Sequence, residues 1–153
     1  MCDTCVFALS APLVYIACIF PFVRLSLSLC RNMSRNFIST NQELRRGDSL
    51  VSNNGNCKAV FQDDGNFVLY MLIPVSKWIP VWASNTVGPN PYRLILQADT
   101  NLVIYDKTYN PVWASGNYDP KGGHQRMRLT LTDDAKLQVE DDAKPIWCNG
   151  CRL

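Results

Sequence analysis

The sequence predicts an all-β protein organised as a threefold repeat, and three observations carry that expectation. Four tryptophans and six tyrosines sit among short segments punctuated by Asn, Gly and Pro. No stretch after Met33 shows a sustained helical period. The stretch Gln62-Asp63-Asp64-Gly65-Asn66-Phe67-Val68-Leu69-Tyr70 also returns at Gln97 to Tyr105 with the same residue at every second position.

The repeat sets the architecture. Gln62 and Gln97 are 35 residues apart, and 35 more reach Thr132. Pro-aliphatic-Trp recurs as Pro80-Val81-Trp82, Pro111-Val112-Trp113 and Pro145-Ile146-Trp147, with Ala-Ser after the first two. A fixed period of this size marks units that bury their apolar faces only against one another. Each unit is expected to hold roughly four short strands. Three such sheets around a common axis bury all three faces, with one tryptophan from each unit as a central plug. Sugar stacking is the alternative role for those rings. Tyr70 to Pro80 and Trp113 to Thr132 are longer than their counterparts, so insertions are expected in loops.

Taken in order, residues 1–32 form a hydrophobic leader unlike the rest. Val6 to Val23 is an 18-residue uncharged run broken by Pro12 and Pro21, with Asp3 where a signal peptide carries a positive charge. A membrane span takes roughly 20 apolar residues. Three readings stay open: a secretory signal, an anchor, or a non-native start with translation beginning at Met33. Residues 33–153 are expected to be one domain, with enough chain to bury a core. Leu44 to Val51 reads as a turn leading into a strand, and Asn53-Asn54-Gly55-Asn56 as a hairpin turn. Ala59-Val60-Phe61 then leads into the first polar row, and Lys77 to Ser84 closes the first unit.

Side chains alternate across a strand, so positions two apart share a face. Gln62, Asp64, Asn66, Val68 and Tyr70 therefore form one row, and Gln97, Asp99, Asn101, Val103 and Tyr105 a second. Ala98, Leu102, Ile104, Phe67 and Leu69 back them toward a core. Asp only accepts, the amides do both, and Tyr does either, a set that suits vicinal hydroxyls. The valine methyls can cover a C–H patch of a sugar ring. The third row, Thr132, Asp134, Lys136, Gln138 and Glu140, keeps the strand pattern but only the aspartate of the set. It is expected to be inactive.

Other chemistries fit less well. A phosphate calls for Arg, Lys or a nest of backbone N–H groups, and the rows contain neither cation. Calcium takes 6–8 oxygens, usually from several carboxylates, whereas each row supplies one. No metal or other cofactor is called for. The net charge of +2 is spread along the chain, with Arg45-Arg46 and Arg126/Arg128 its densest spots, which argues against a nucleic-acid surface. The doublets Asp63-Asp64, Asp133-Asp134 and Asp141-Asp142 do not make a glycosidase pair, since strand neighbours point to opposite faces. The single histidine, His124, is expected to be solvated in its Gly-Gly-His loop, and no nucleophile stands in a triad context. Cys148-Asn149-Gly150-Cys151 lacks the second pair of a zinc ribbon and reads as a terminal turn with incidental thiols, or as a local or intermolecular disulfide.

The two rows match QxDxNxVxY, and over residues 33–147 the chain resembles the monocot mannose-binding lectins, also called bulb-type or snowdrop-type. Met33-Ser34-Arg35-Asn36-Phe37 and Asn41-Gln42-Glu43-Leu44 are similar to the fish mucus branch of that family. The resemblance implies a β-prism II of three four-stranded antiparallel sheets with pseudo-threefold symmetry. It also implies calcium-independent mannose binding and non-covalent homodimers that exchange C-terminal strands. Asp64 with Asn66, and Asp99 with Asn101, would take the axial 2-hydroxyl. Gln62 and Gln97 would reach the 3-hydroxyl, Tyr70 and Tyr105 the 4-hydroxyl, and Val68 and Val103 the ring carbons. The disulfide of plant members would fall near Gly65 and Tyr92 and is absent.

The expected function is a non-enzymatic lectin with two mannose sites per chain and one degenerate site. It would cross-link mannose-bearing glycans in extracellular mucus, in mucosal defence, without nucleic-acid or membrane partners. The alternative is a membrane-anchored or structural interaction module on the same scaffold.

Overall fold

The computed structural model describes residues 35–88 and 90–150. Expectations for the leader therefore lie outside the described residues. Among the described residues the chain forms β1 (Phe37–Ser39), β2 (Glu43–Arg45), β3 (Ser49–Val51), β4 (Cys57–Phe61), β5 (Phe67–Ile73) and β6 (Lys77–Ala83). These are followed by β7 (Pro91–Leu96), β8 (Leu102–Asp106), β9 (Pro111–Ala114), β10 (Met127–Leu131), β11 (Leu137–Asp141) and β12 (Lys144–Cys148). They pair into three antiparallel four-stranded sheets, ordered β3-β4-β5-β6, β2-β7-β8-β9 and β1-β10-β11-β12.

Four strands per sheet is as the repeat implies, but the assignment of strands to units differs. Each repeat supplies only three, and the segment 37–51 contributes one edge strand to every sheet. Each of those edge strands is three residues long and buries its central residue: Ile38, Leu44 and Leu50. The inner faces meet in one core that includes Phe61, Phe67, Leu69, Leu102, Ile104 and Leu129. Ala98 is not part of it, because it lies in a turn. The third unit contributes Leu129, Leu131, Leu137 and Val139, all fully buried.

Trp82, Trp113 and Trp147 meet one another edge-to-face, with ring centroids 5.9, 6.3 and 6.1 Å apart. One ring thus comes from each sheet, and the tryptophans join the sheets rather than face a ligand. The chain excess between Tyr70 and Pro80 is not a loop. It lengthens β5 and β6 as paired strand out to Ile73 and Lys77. β12 pairs with β11 of the same chain. Cys57 is free and buried, whereas Cys148 is disulfide-bonded and so is not an incidental thiol.

Candidate functional site

The rows are not continuous strand. Gln62, Asp64 and Asn66 lie on the β4–β5 turn and its flanks, and only Val68 and Tyr70 stand on β5. The second row divides the same way between the β7–β8 turn and β8. Turn geometry explains this. The Gln62 N–H donates to Asn66 O (2.8 Å) and the Gly65 N–H to Gln62 O (2.9 Å). Gln97 and Asn101 (2.9 Å), and Thr132 and Lys136 (2.9 Å), make the first of those bonds in the other two units. Each turn places one residue in the left-handed region: Gly65 (φ 84°), Thr100 (φ 69°) and Ala135 (φ 59°). Glycine is the unstrained choice there. At Gly65 it is also required sterically, since a Cβ would meet Pro91 at 2.8 Å. The first turn and the start of β7 thus lie against each other.

The turn presents the polar groups in a fixed orientation. In the first row Asn66 Oδ1 accepts from Ser84 Oγ (3.1 Å) and from the Thr86 N–H (3.2 Å). In the second, Asn101 Oδ1 accepts from Ser115 Oγ (3.1 Å) and the Gly116 N–H (3.1 Å). Both asparagines therefore leave the amino group as the outward donor. Asp64 Oδ1 accepts from the Asn66 N–H (2.9 Å), and Asp99 Oδ1 from the Asn101 N–H (3.1 Å). Each carboxylate keeps its second oxygen as an acceptor. Gln62 Nε2 donates to Tyr70 Oη (2.7 Å), and Tyr105 Oη donates to Gln97 Oε1 (3.4 Å). The amide and phenol are tied together in both rows, with opposite donor roles.

Val68 and Val103 are 4% and 2% exposed, yet they lie outside the core cluster. They face outward beneath the polar groups and offer a ligand a small apolar floor, less open than the sequence suggests. Apart from the two valines, every side chain of the two rows is half-buried or exposed. A depression of about 430 Å³ lies beside the third row, walled by Arg126, Arg128, Glu140 and Asp142. Its charges are mixed, and Arg126 pairs with Asp142 at 3.1 Å.

The third row has become self-sufficient. Lys136 Nζ lies 2.7 Å from Asp134 Oδ2, and Thr132 Oγ1 donates to Asp134 Oδ1. Those bonds, the lysine's first, hold the Asp134 carboxyl below its ordinary range. Gln138 Nε2 donates to Glu140 Oε1 (2.7 Å), so the lower end of the row is paired as well.

Two sets of residues went unread as parts of the site. Ser84 and Ser115, the serines of the repeated Ala-Ser, orient the asparagines. Lys58, Arg93 and Arg128 stand directly across the strand pair from Tyr70, Tyr105 and Glu140. They recur at the same 35-residue step as the rows, and that spacing would have revealed them.

His124 is half-buried, not solvated. Its Nδ1 lies 2.6 Å from Asp141 Oδ2 and its Nε2 3.1 Å from Asp119 Oδ2. The hydrogen bond to Asp119, then that to Asp141, raises its pKa above the ordinary 6.5. The surrounding loop braces the second turn: the Asp119 N–H donates to Asp99 O (2.8 Å) and the His124 N–H to Ala98 O (2.9 Å). Among the described residues no three His, Cys, Asp or Glu side chains converge to hold a metal ion.

No family model matches the chain. It is, however, 47% identical over 112 residues to the B-type lectin plumieribetin from Scorpaena plumieri, across 73% of this chain and 92% of that protein. The chain belongs to the B-type, or bulb-type, lectin family. It is also 38% identical over 76 residues to a mannose-specific lectin of Narcissus pseudonarcissus, covering 49% of this lectin and 63% of that one. A monomeric monocot mannose-binding lectin from Gastrodia elata superposes with a TM-score of 0.62 at 30% identity, over 77% and 99% of the two chains. The snowdrop (Galanthus nivalis) mannose-specific agglutinin, complexed with methyl-α-D-mannoside, gives 0.58 at 28% identity, over 77% and 98%. The three sheets of this lectin are those of a β-prism II, and its relatives are carbohydrate-binding proteins rather than enzymes.

Proposed function

We propose that this lectin binds terminal mannose residues of glycans at two sites per chain, without a metal ion, and that the third row binds no sugar. One observation carries the reading. Both rows occupy the asparagine carbonyl with a serine hydroxyl and a backbone N–H, and one aspartate oxygen with the asparagine N–H, which leaves an amide donor and a carboxylate acceptor for a ligand. A sugar hydroxyl donates and accepts at once, and that pair satisfies both capacities. Gln62 with Tyr70, and Gln97 with Tyr105, extend the same pattern to neighbouring hydroxyls. The mannose specificity named for the Narcissus and snowdrop relatives supports the choice of sugar.

A shallow one-sugar site gives about −4 kcal/mol, near millimolar. Useful binding then comes from several sites engaged together, where linkage adds about 10²–10⁴. A homodimer, secretion into mucus and a role in mucosal defence accord with that need for multivalency. Asp64→Ala combined with Asp99→Ala should abolish retention on mannose-agarose while the melting temperature stays within a few degrees. Retention by the double variant refutes the site assignment, and loss of wild-type retention in EDTA refutes metal independence.

A further inference from the structure

We propose that the first site has a second part, built by Lys58 and Trp78 beside Tyr70, that takes an anionic substituent carried on the bound mannose. This rests on the mannose reading of the row. The three cations at the 35-residue step meet different surroundings. Arg93 is ion-paired with Glu43 at 3.3 Å and lies over the rings of Tyr105 and Tyr109, at 5.6 and 5.0 Å from their centroids. Arg128 faces Glu140 across the strand pair and lies 4.8 Å over the ring of Phe37. Lys58 faces a phenol, and among the described residues no carboxylate lies within ion-pair reach of it.

The Lys58 ammonium is held instead between two rings, 4.7 Å from the centroid of Trp78 and 5.7 Å from that of Tyr70. Aromatic faces position a cation without neutralising it, and an ammonium lying against rings keeps donors for a ligand on its far side. Trp78 is there because the β5–β6 hairpin is lengthened. It stands opposite Leu72, which shares the outward face of Tyr70. The second sheet has no such extension, since β8 turns into β9 through residues 107–110. The first site therefore continues past its phenol onto an aromatic platform bearing one uncompensated positive charge. The second site ends at Arg93, which shares the Glu43 carboxylate with Arg45 and faces two phenol rings. A phosphate, sulfate or carboxylate on the sugar answers that charge. The 6-position of mannose adjoins the 4-hydroxyl assigned to Tyr70, so a 6-substituent falls on this side.

The test uses the full chain with Asp99→Ala, which leaves the first site, titrated calorimetrically with mannose, mannose 6-phosphate and inorganic phosphate. Mannose 6-phosphate should bind about three- to tenfold tighter than mannose at low salt, the advantage shrinking at physiological ionic strength. Adding Lys58→Gln should bring the ratio of the two affinities close to one. Equal affinities in the Asp99→Ala protein, or a preference that survives Lys58→Gln, overturn the anion subsite and leave the mannose reading intact. Inorganic phosphate binding as tightly as mannose 6-phosphate overturns the coupling of anion to sugar. If neither sugar binds, the mannose reading falls and this inference with it.

Discussion

The first and third rows share a turn, a left-handed residue and a strand, and differ in what their polar groups do with one another. In the first row Asp64 and Asn66 each spend one atom on holding the turn and leave one facing outward. In the third, Asp134 is occupied by Thr132 and Lys136, and Gln138 by Glu140. If the third row binds no sugar, as proposed, internal pairing of Asp134 and Gln138 accounts for it rather than a loss of polarity.

That comparison can be broken at several strengths. If the fold is common property of the three units, Trp113→Ala should cost about 3–5 kcal/mol and unfold all three sheets in one transition. A two-step melt would show that the units are independent. Next in size is reconstruction of the third row by Thr132→Gln, Lys136→Asn, Gln138→Val and Glu140→Tyr, with Asn149→Ser to replace the bond that Asn149 makes to the Leu137 N–H. Mannose stoichiometry by calorimetry should rise from two to three, the new site contributing about −4 kcal/mol. No third equivalent would mean that the row alone does not make the site.

The turns themselves sharpen the point more modestly. Gly65→Ala places a Cβ against Pro91 at a positive φ and should cost about 1–3 kcal/mol in urea unfolding. Ala135→Gly relieves the equivalent conformation in the third turn and should gain up to about 1 kcal/mol. Equal effects of opposite design would remove the steric argument at Gly65. The smallest effect is expected from His124. Its raised pKa means that the imidazolium contributes stability fully below about 6.5 and loses it as pH rises through the higher folded value. Asp119 is held low, chiefly by the Lys121 N–H and then by His124, so it stays charged across that window. Hydrogen exchange at the Asp119 and His124 amides should quicken beyond the intrinsic rate as pH rises through the raised His124 pKa. His124→Ala should flatten that change, and an unchanged pH response would separate the imidazole from the brace on the second turn.

What the sequence made legible was whatever repeats or alternates. The 35-residue step located the rows, the tryptophans and the eroded third unit, and alternation placed Leu129, Leu131, Leu137 and Val139 in the core. The edge strands β1 and β2 were invisible because three residues with one buried side chain have no period to read. The asparagine orientation could not be foreseen either, since Ser84 reaches Asn66 from just past the end of β6. His124 was misjudged because its partners Asp119 and Asp141 are joined by folding, on elements that the Gly-Gly context does not announce.

The segment 37–51 has a consequence for how this molecule would fail. Sheet edges with unpaired N–H and C=O groups recruit other chains. Here a single stretch closes one side of every sheet, from Ile38 against Leu129 to Leu44 against Leu94 and Leu50 against Ala59. A protease cut or mutation that freed it would not unravel one unit. It would uncover three adhesive edges at once and turn the protein into a nucleus for aggregation.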